Sequence, residues 1–225
     1  VLSRWLWRQA DAGIAISEAI RRFAIATEGV PPDKIHTIHY GLDPATIEAP
    51  PDARARLRQG LGLPPDTPLI GSVCRLIAQK GLDNALDGFG QVAAEFPAAR
   101  YVIAGDGPLR GALEAQAARL GLAERVHFLG WRGDAAAIFA ALDVLLAPSR
   151  WEGFGLVFLE AMALAVPVIS TRVSAIPEVI ADGETGWLVP PGDPAAISAA
   201  LRVALGDPGE RCRRRIRHDH RQIKR

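Results

Sequence analysis

The chain has 225 residues, of which 49% are hydrophobic and 23% charged, with a formal net charge of +1. These values are typical of globular proteins, and the length suits one large domain or one and a half smaller ones. No apolar run approaches the roughly 20 residues of a membrane-spanning helix. No signal peptide is evident, and two cysteines cannot form a disulfide framework, so we expect a cytoplasmic protein.

The charge is unevenly distributed along the chain. From Gly209 onward, eight lysines and arginines accompany two acids, a net charge of +6 that leaves −5 on residues 1–208. An acidic body argues against a nucleic-acid-binding domain. Residues 207–225 lack apolar periodicity and are predicted to form a basic, flexible tail. The tail contains a His-Asp-His run at 218–220, but adjacent positions rarely form a closed metal site.

The first 45 residues read as helix, short strand, helix and short strand. The strands are predicted at 12–16 and 34–39, and Ser17 is a suitable N-cap for the helix between them. A Trp-Leu-Trp run flanked by arginines, residues 4–8, suits either peripheral contact with a membrane or packing against a neighbouring domain.

From residue 46 to residue 206, a linker with a short helix leads into regular strand–helix alternation. Strands are predicted at 69–74, 100–104, 125–129, 143–147, 166–170 and 186–189. Helices are predicted at 82–94, 108–120, 135–141, 155–165, 176–181 and about 193–205. This alternation predicts an α/β fold, a Rossmann-like parallel sheet with helices on both faces.

One stretch, residues 143–169, carries most of the functional information. A buried strand leads into a loop containing Gly153 and Gly155, and a helix follows. Ligands of α/β sheets bind beyond the carboxyl ends of the strands, where the amino end of a helix attracts anions. Glu160 lies roughly 7.5 Å along the helix from Gly155, where its carboxylate suits ribose hydroxyls. The Glu152 carboxylate suits the hydroxyls of a second polyol, and a ligand with an anion between two polyols is a nucleotide-sugar. The alternative interpretation is an ordinary strand–helix–strand crossover in which the two acids have no ligand.

A second candidate element follows the first strand of the alternation, in the segment SVCRLIAQKGLD. Arg75 and Lys80 leave the carboxyl end of that strand next to Gly81, where two cations would bind a diphosphate. The alternative is a pair of solvated loop cations. Cys74 is interpreted as a small buried hydrophobic residue.

Other sites are disfavoured. A Gly-Asp-Gly-Pro turn at 105–108 is similar to a dinucleotide-binding turn. However, its glycine spacing differs from that of the dinucleotide motif, and the next strand does not end in the acid that would bind a ribose, so we reject a nicotinamide cofactor. There is no Asp-x-Asp pair, and no metal is expected. His36, His39 and His127 fall in predicted strands and are interpreted as structural.

These motifs resemble those of a known family. Glu152 and Glu160, separated by seven residues in EGFGLVFLE, match the Glu-x7-Glu motif of retaining GT-B glycosyltransferases, and the stretch is similar to glycosyltransferase family 4. The Arg75 segment resembles the family's Gly-Arg-Leu-x3-Lys-Gly motif, with Cys74 in place of the first glycine. The run KIHTIHYGLD resembles the junction between the family's two domains, with Tyr40 in place of the usual Asn.

The resemblance, which covers most of residues 12–206, implies a role for each matching residue. The catalytic residues it implies are Arg75, Lys80 and Glu152. The donor-binding residues it implies are Gly153, Phe154, Gly155, Leu156, Glu160, Gly105 and Trp131. Gly105 and Trp131 would line the nucleobase side, while the two basic side chains would hold the diphosphate. No cofactor is implied beyond the nucleotide-sugar substrate.

The implied fold is the C-terminal half of a GT-B enzyme, with most of the N-terminal half missing. Residues 1–45 would be the last elements of the acceptor domain and the junction, and residues 46–206 the donor-binding domain. The implied reaction transfers a sugar from a nucleoside diphosphate to the hydroxyl of an unknown glycan, lipid or small-molecule acceptor, with retention. Two alternatives remain: a truncated nucleotide-sugar-binding module without activity, and a related GT-B epimerase. Val1 and the single methionine, Met162, indicate a fragment or a non-standard start.

Overall fold

A parallel sheet of six strands organises the chain in the computed structural model, which describes residue 7 and residues 9–214. A separate parallel pair of short strands precedes it. The strands are β1 (Gly13–Ala15), β2 (Ile35–Thr37), β3 (Leu69–Val73), β4 (Arg100–Ala104), β5 (Val126–Gly130), β6 (Val144–Ala147), β7 (Val168–Thr171) and β8 (Gly186–Val189). The predicted fold class is confirmed.

The six strands lie in the order β5-β4-β3-β6-β7-β8. The chain first builds outward from β3 to one edge and then returns to build from β6 to the other edge. The direction of winding therefore reverses between β3 and β6. In open α/β sheets, ligands bind beyond the carboxyl ends of the strands at this point of reversal.

Helices cover both faces of the six-stranded sheet. They are α1 (Glu18–Phe23), α2 (Ala53–Gly60), α3 (Leu82–Val92), α4 (Arg110–Arg119), α5 (Ala135–Ala141), α6 (Leu156–Ala163), α7 (Ile176–Val179), α8 (Pro194–Gly206) and α9 (Pro208–Arg213), of which α1 belongs to the preceding strand pair. Alternate strand residues enter different cores: Ile70 and Ile103 pack with α3, α4 and α8, whereas Leu69 and Val102 pack with α5, α6 and α7. Because both faces are covered, the strands read as continuous apolar runs.

Within the described residues, the predicted elements match the observed ones except near their ends, whereas the first predicted helix and the Trp-Leu-Trp run lie mostly outside those residues. β7 begins at residue 168, two positions later than predicted, because the Val166 N–H still donates to the Ala161 carbonyl at the end of α6. α6 begins at Leu156, since Gly155 has a left-handed backbone and lies outside the helix as its N-cap. The predicted flexible tail is wrong for residues 208–213, which form α9, and Arg214 stacks on Trp187 at 4.5 Å. The His-Asp-His run lies outside the described residues.

The strand pair β1–β2 and helix α1 form a small unit ahead of the main sheet. Its core consists of four buried residues: Ala15, Ala24, Val30 and Ile35. Ser17 caps α1 as predicted, accepting a hydrogen bond from the Ile20 N–H at 3.1 Å. This unit contacts the main sheet through the segment that begins α1.

A buried ion pair fixes α2 to the amino end of the sheet. The Arg58 side chain is 1% exposed and donates to the Asp143 carboxylate at 3.0 Å, and Arg54 donates to the same carboxylate at 2.9 Å. Asp143 also accepts from the Leu69 N–H at 2.8 Å, where β3 begins. The carboxylate therefore joins a helix and two neighbouring strands.

Among the described residues, no helix is both long and apolar enough to cross a bilayer.

Candidate functional site

Two loops meet at the point where the sheet reverses direction. One connects β3 to α3 and the other connects β6 to α6. At Gly81, which has φ +63°, an added Cβ would lie 2.1 Å from the Pro148 carbonyl oxygen, so the backbones can be this close only with glycine there. The Arg150 N–H donates to the Gln79 carbonyl at 2.7 Å, and the Arg150 guanidinium donates to Asp83 at 2.6 Å. The two loops are therefore fixed against each other.

An ion pair joins the predicted site residues of the two loops. Lys80 Nζ lies 2.6 Å from Glu152 Oε2, and both side chains are largely buried. The same carboxylate oxygen accepts a longer hydrogen bond, 3.4 Å, from Ser149. The sequence assigned Lys80 and Glu152 to different parts of a ligand. In the structure they neutralise each other, so an anion bound here would compete with Glu152 for the ammonium group.

Arg75 differs from Lys80 in its environment. Its side chain is exposed at the carboxyl end of β3, and none of the hydrogen bonds or ion pairs among the described residues uses its guanidinium group. A planar cation with five free donors suits a phosphate or carboxylate. The arrangement thus provides one unpaired cation and one exchangeable cation at the same edge of the sheet.

The amino end of α6 faces the same edge. Gly155, with φ +85°, precedes the helix, and its missing side chain leaves room for the Phe158 ring, which an added Cβ would approach to 2.4 Å. The first N–H groups of any helix lack intrahelical partners, and the helix dipole favours negative charge there. The loop that leads into this helix end contains Glu152 and Gly153 immediately before Gly155.

Glu160 is half-buried on α6, and no hydrogen bond or ion pair within residues 9–214 involves its carboxylate. Burial raises the pKa of Glu160, because the charged form is poorly solvated there. A buried carboxylate without a partner is costly unless a ligand hydroxyl donates to it. This environment fits the predicted contact with a polyol.

The raised pKa gives Glu160 a testable effect on stability. An acid whose pKa is higher in the folded chain than in the unfolded chain destabilises the fold when ionised, and the cost disappears below the unfolded value of about 4.3. Glu160→Gln should therefore raise the midpoint of thermal unfolding by a few degrees at about pH 7 and have little effect near pH 4. Glu184→Gln, at an exposed position, is the control. An equal gain at both pH values would contradict this assignment.

The glycine turn after β4 packs against the β3–α3 loop. An added Cβ at Gly105 would lie 1.8 Å from the Cys74 carbonyl oxygen, so only glycine fits. The Gly105 N–H donates to the Gly130 carbonyl at 2.7 Å, which holds the end of β5 beside it. Trp131 follows directly and is 78% exposed. The predicted base-side residues therefore share one edge of the sheet with Arg75.

Two predicted donor-binding residues differ in their side-chain positions. Phe154 is buried and packs against the rings of His39 and Tyr40, each 5.8 Å away, so only its backbone is available to a ligand. Leu156 is exposed at the start of α6. The prediction that His39 lies in a strand is wrong, because β2 ends at residue 37. The His39 ring instead lies 3.0 Å from the Glu178 carboxylate.

Two residues near this loop went unnoticed in the sequence. Ser17, interpreted only as an N-cap, also donates to the Gly153 carbonyl at 2.8 Å. Glu178 accepts from the backbone N–H groups of Glu18 and Ala19, each at 2.8 Å. No local pattern distinguishes either residue, since the partners are more than a hundred positions away in sequence.

Cys74 has the inert environment that its predicted role requires. Burial raises the pKa of its thiol to about 12, so it stays protonated and is a poor nucleophile at neutral pH.

Within residues 9–214, no group of three or more His, Cys, Asp or Glu side chains is placed to hold a metal ion.

The part of the chain that contains these loops matches a known family. The family model for glycosyl transferases group 1 matches residues 53–222. The chain belongs to this family. Its six-stranded sheet is the C-terminal half of a GT-B fold, as the sequence predicted.

Several group 1 glycosyltransferases are similar to this chain over most of its length. A GDP-mannose-dependent phosphatidylinositol monomannoside mannosyltransferase of Mycolicibacterium smegmatis is 35% identical, across 91% of this chain and 56% of the relative. The lipopolysaccharide core mannosyltransferase LpsB of Rhizobium meliloti is 33% identical, across 91% and 58%. HepE of Anabaena, solved with UDP and glucose, superposes with a TM-score of 0.84 at 27% identity, covering 93% of this chain and 60% of that one. The chain thus spans little more than half the length of these relatives.

Proposed function

We propose that this chain is the donor-binding half of a retaining glycosyltransferase that transfers a hexose from a nucleoside diphosphate to an acceptor hydroxyl. The single observation that carries the proposal is the position of Arg75, Lys80 and Glu152 on two interlocked loops where the sheet reverses direction. A basic pair, a carboxylate and a helix amino end at one edge suit a diphosphate with a sugar attached.

The chemistry follows from where charge develops. When the bond from the anomeric carbon to the diphosphate breaks, negative charge grows on the leaving oxygens while the sugar becomes oxocarbenium-like. Arg75, Lys80 and the backbone N–H groups at the start of α6 would stabilise that charge without reorganising. The departing diphosphate then accepts the proton of the acceptor hydroxyl on the same face, which gives retention. No residue is assigned as a covalent nucleophile.

The Lys80–Glu152 pair has a specific role in this scheme. In the structure the two charged groups neutralise each other, with Lys80 Nζ 2.6 Å from Glu152 Oε2. A donor diphosphate would attract the ammonium group and release the carboxylate, which would then accept hydrogen bonds from the sugar hydroxyls. Both groups are largely buried, so each would otherwise be a costly unpaired charge. A ligand that carries both an anion and a polyol would therefore satisfy both members of the pair.

A nucleotide-sugar donor is further supported by the similar proteins. HepE was solved with UDP, with UDP-glucose, and with UDP and glucose, and the mycobacterial relative is named as GDP-mannose-dependent. With such a donor bound, Glu160 would accept hydrogen bonds from the ribose hydroxyls, while Gly105 and Trp131 would line the base.

The affinity for nucleotide tests the assignment of Glu160. Glu160→Ala should weaken binding of UDP or GDP by roughly 1.5–3 kcal/mol, the contribution of hydrogen bonds to a charged group. Isothermal titration of this chain with UDP, GDP and ADP measures the effect and also identifies the base. Glu184→Ala is the matched control on an exposed turn. Unchanged affinity in Glu160→Ala would refute the ribose contact.

A second candidate function is a binding module without transfer activity. The observation that favours it is that the two interlocked loops already bring together Lys80 and Glu152, the groups that binding a donor would require. Incubation with radiolabelled UDP-glucose and GDP-mannose separates the two. Binding without transfer or hydrolysis supports the module, whereas a new glycosidic product supports the transferase. A product with an inverted hydroxyl and no new glycosidic bond would instead indicate an epimerase.

A further inference from the structure

The loop that carries Glu152 is held from outside the main sheet. Ser17 is 0% exposed, and its hydroxyl donates to the Gly153 carbonyl at 2.8 Å across 136 positions of sequence. The Ile16 side chain lies 3.5 Å from where a Cβ of Gly153 would be. The residue directly after the candidate sugar-binding carboxylate is therefore in contact with the unit formed by β1, β2 and α1.

The same unit is fixed at a second point by α7. The two carboxylate oxygens of Glu178 accept from the first N–H groups of α1, those of Glu18 and Ala19, each at 2.8 Å. His39 adds a third donor at 3.0 Å. Burial opposes ionisation of Glu178, but the hydrogen bonds from His39, Glu18 and Ala19 outweigh it and lower its pKa. The carboxylate thus stays ionised and holds the start of α1.

α7 also contacts the loop directly, which closes a ring of contacts. The Ala175 N–H, at the start of α7, donates to the Glu152 carbonyl at 3.4 Å. Successive carbonyls of the loop are therefore fixed from two sides, Glu152 by α7 and Gly153 by Ser17 of the N-terminal unit. Because peptide groups are planar, fixing these two carbonyls also fixes the direction of the N–H groups of Gly153 and Phe154.

We propose that Ser17 and Glu178 are positioning residues for the donor loop, so that Glu152 and the N–H groups of residues 153–155 are in place only when the N-terminal unit is docked. This inference rests on the proposed function for its catalytic meaning, but its geometry is independent of that function. The proposal couples docking of the N-terminal unit to ligand binding. Docking orders the loop, and because such coupling is reciprocal, a ligand that orders the loop strengthens docking. Donor binding would thus be linked to the arrangement of the two halves.

The test uses a variant that removes the donor to Gly153 while keeping most of the helix cap. Glycine is nearly as good an N-cap as serine, so Ser17→Gly deletes the hydroxyl with little loss of helix stability. Glu178→Gln removes one of the two acceptor oxygens at the other contact. Glu184→Gln is the matched control, an exposed acid six positions further along. The readout is hydrogen–deuterium exchange, without ligand, of the Ala175 and Phe158 amides, which donate to the Glu152 and Gly155 carbonyls of the loop.

We expect exchange at these two amides to be about fivefold to tenfold faster in Ser17→Gly and Glu178→Gln, the change that loss of one hydrogen bond produces in local opening. The control should match the wild type, and the unfolding midpoint of Ser17→Gly should stay close to that of the wild type. Wild-type exchange rates in both variants would overturn the proposal. So would faster exchange throughout β1 and α1 with none confined to the loop.

Titration with UDP distinguishes this proposal from the proposed function. If the wild type binds UDP, Ser17→Gly should bind it several-fold more weakly while Glu184→Gln binds it normally; equal affinity in all three would overturn the link between docking and donor binding. If the wild type binds no nucleoside diphosphate, the proposed function fails. The exchange measurement still decides whether Ser17 and Glu178 order the loop.

Discussion

Replacing Arg75 with alanine is expected to lower the turnover of a full-length enzyme containing this chain by about 10² to 10³, the effect of removing one pre-organised donor from a developing negative charge. Arg75 is exposed at the carboxyl end of β3, and its guanidinium has no partner among the described residues, so the variant loses no structural contact. The loss should appear mainly in kcat, because charge on the leaving oxygens is greatest in the transition state.

Arg119→Ala is the matched control for this prediction. Arg119 is an exposed arginine at the end of α4, away from the point where the sheet reverses. Its removal changes the net charge by the same amount and should leave kcat and KM unchanged. Steady-state kinetics with a radiolabelled donor measures both variants. Equal activity of the Arg75 and Arg119 variants would remove Arg75 from the catalytic scheme.

The largest effect on stability is expected at Asp143. Asp143→Ala leaves Arg58, which is 1% exposed, as an uncompensated buried charge. Removing one partner of a buried pair typically costs about 3–5 kcal/mol. Burial and the neighbouring Arg54 already lower the pKa of Arg58, and Asp143 acts in the opposite direction. Urea denaturation followed by circular dichroism should show this loss of unfolding free energy.

The exposed pair in the same helix region provides the comparison. Arg56 and Asp52 lie 2.6 Å apart, but their side chains are 72% and 50% exposed. Asp52→Ala should change the unfolding free energy by less than about 1 kcal/mol, as is usual for surface pairs. If Asp143→Ala cost no more than Asp52→Ala, the buried pair would not be what holds α2 to the sheet.

The sequence predicted the fold well because the information is local and repeated. Most strands of the main sheet are short, buried apolar runs, and several helices end near a glycine or proline, so alternation alone indicates a parallel sheet. The start of β7 shows the limit of such patterns. Apolar composition favours a strand from residue 166, but the Val166 N–H bonds back to α6, and residue pairing with β6 begins only at residue 168.

The sequence predicted which loops form the candidate site but not how their side chains pair. The Lys80–Glu152 contact joins residues 72 positions apart, and its existence depends on how closely the two loops approach. The Phe154 ring could not be placed for the same reason, since its partners, His39 and Tyr40, belong to the junction. Glu178 was missed because its role depends on the start of α1, 160 positions earlier.

The glycines that bring the loops together also limit how this protein can be diversified. A library aimed at new donor preferences has no freedom at Gly81 or Gly105, because any side chain would overlap a carbonyl oxygen of the facing loop. Trp131 and Leu156 are exposed at the same edge and can be randomised at little cost to the scaffold. Directed evolution should therefore vary exposed positions such as Trp131 and Leu156 and keep Gly81 and Gly105 unchanged.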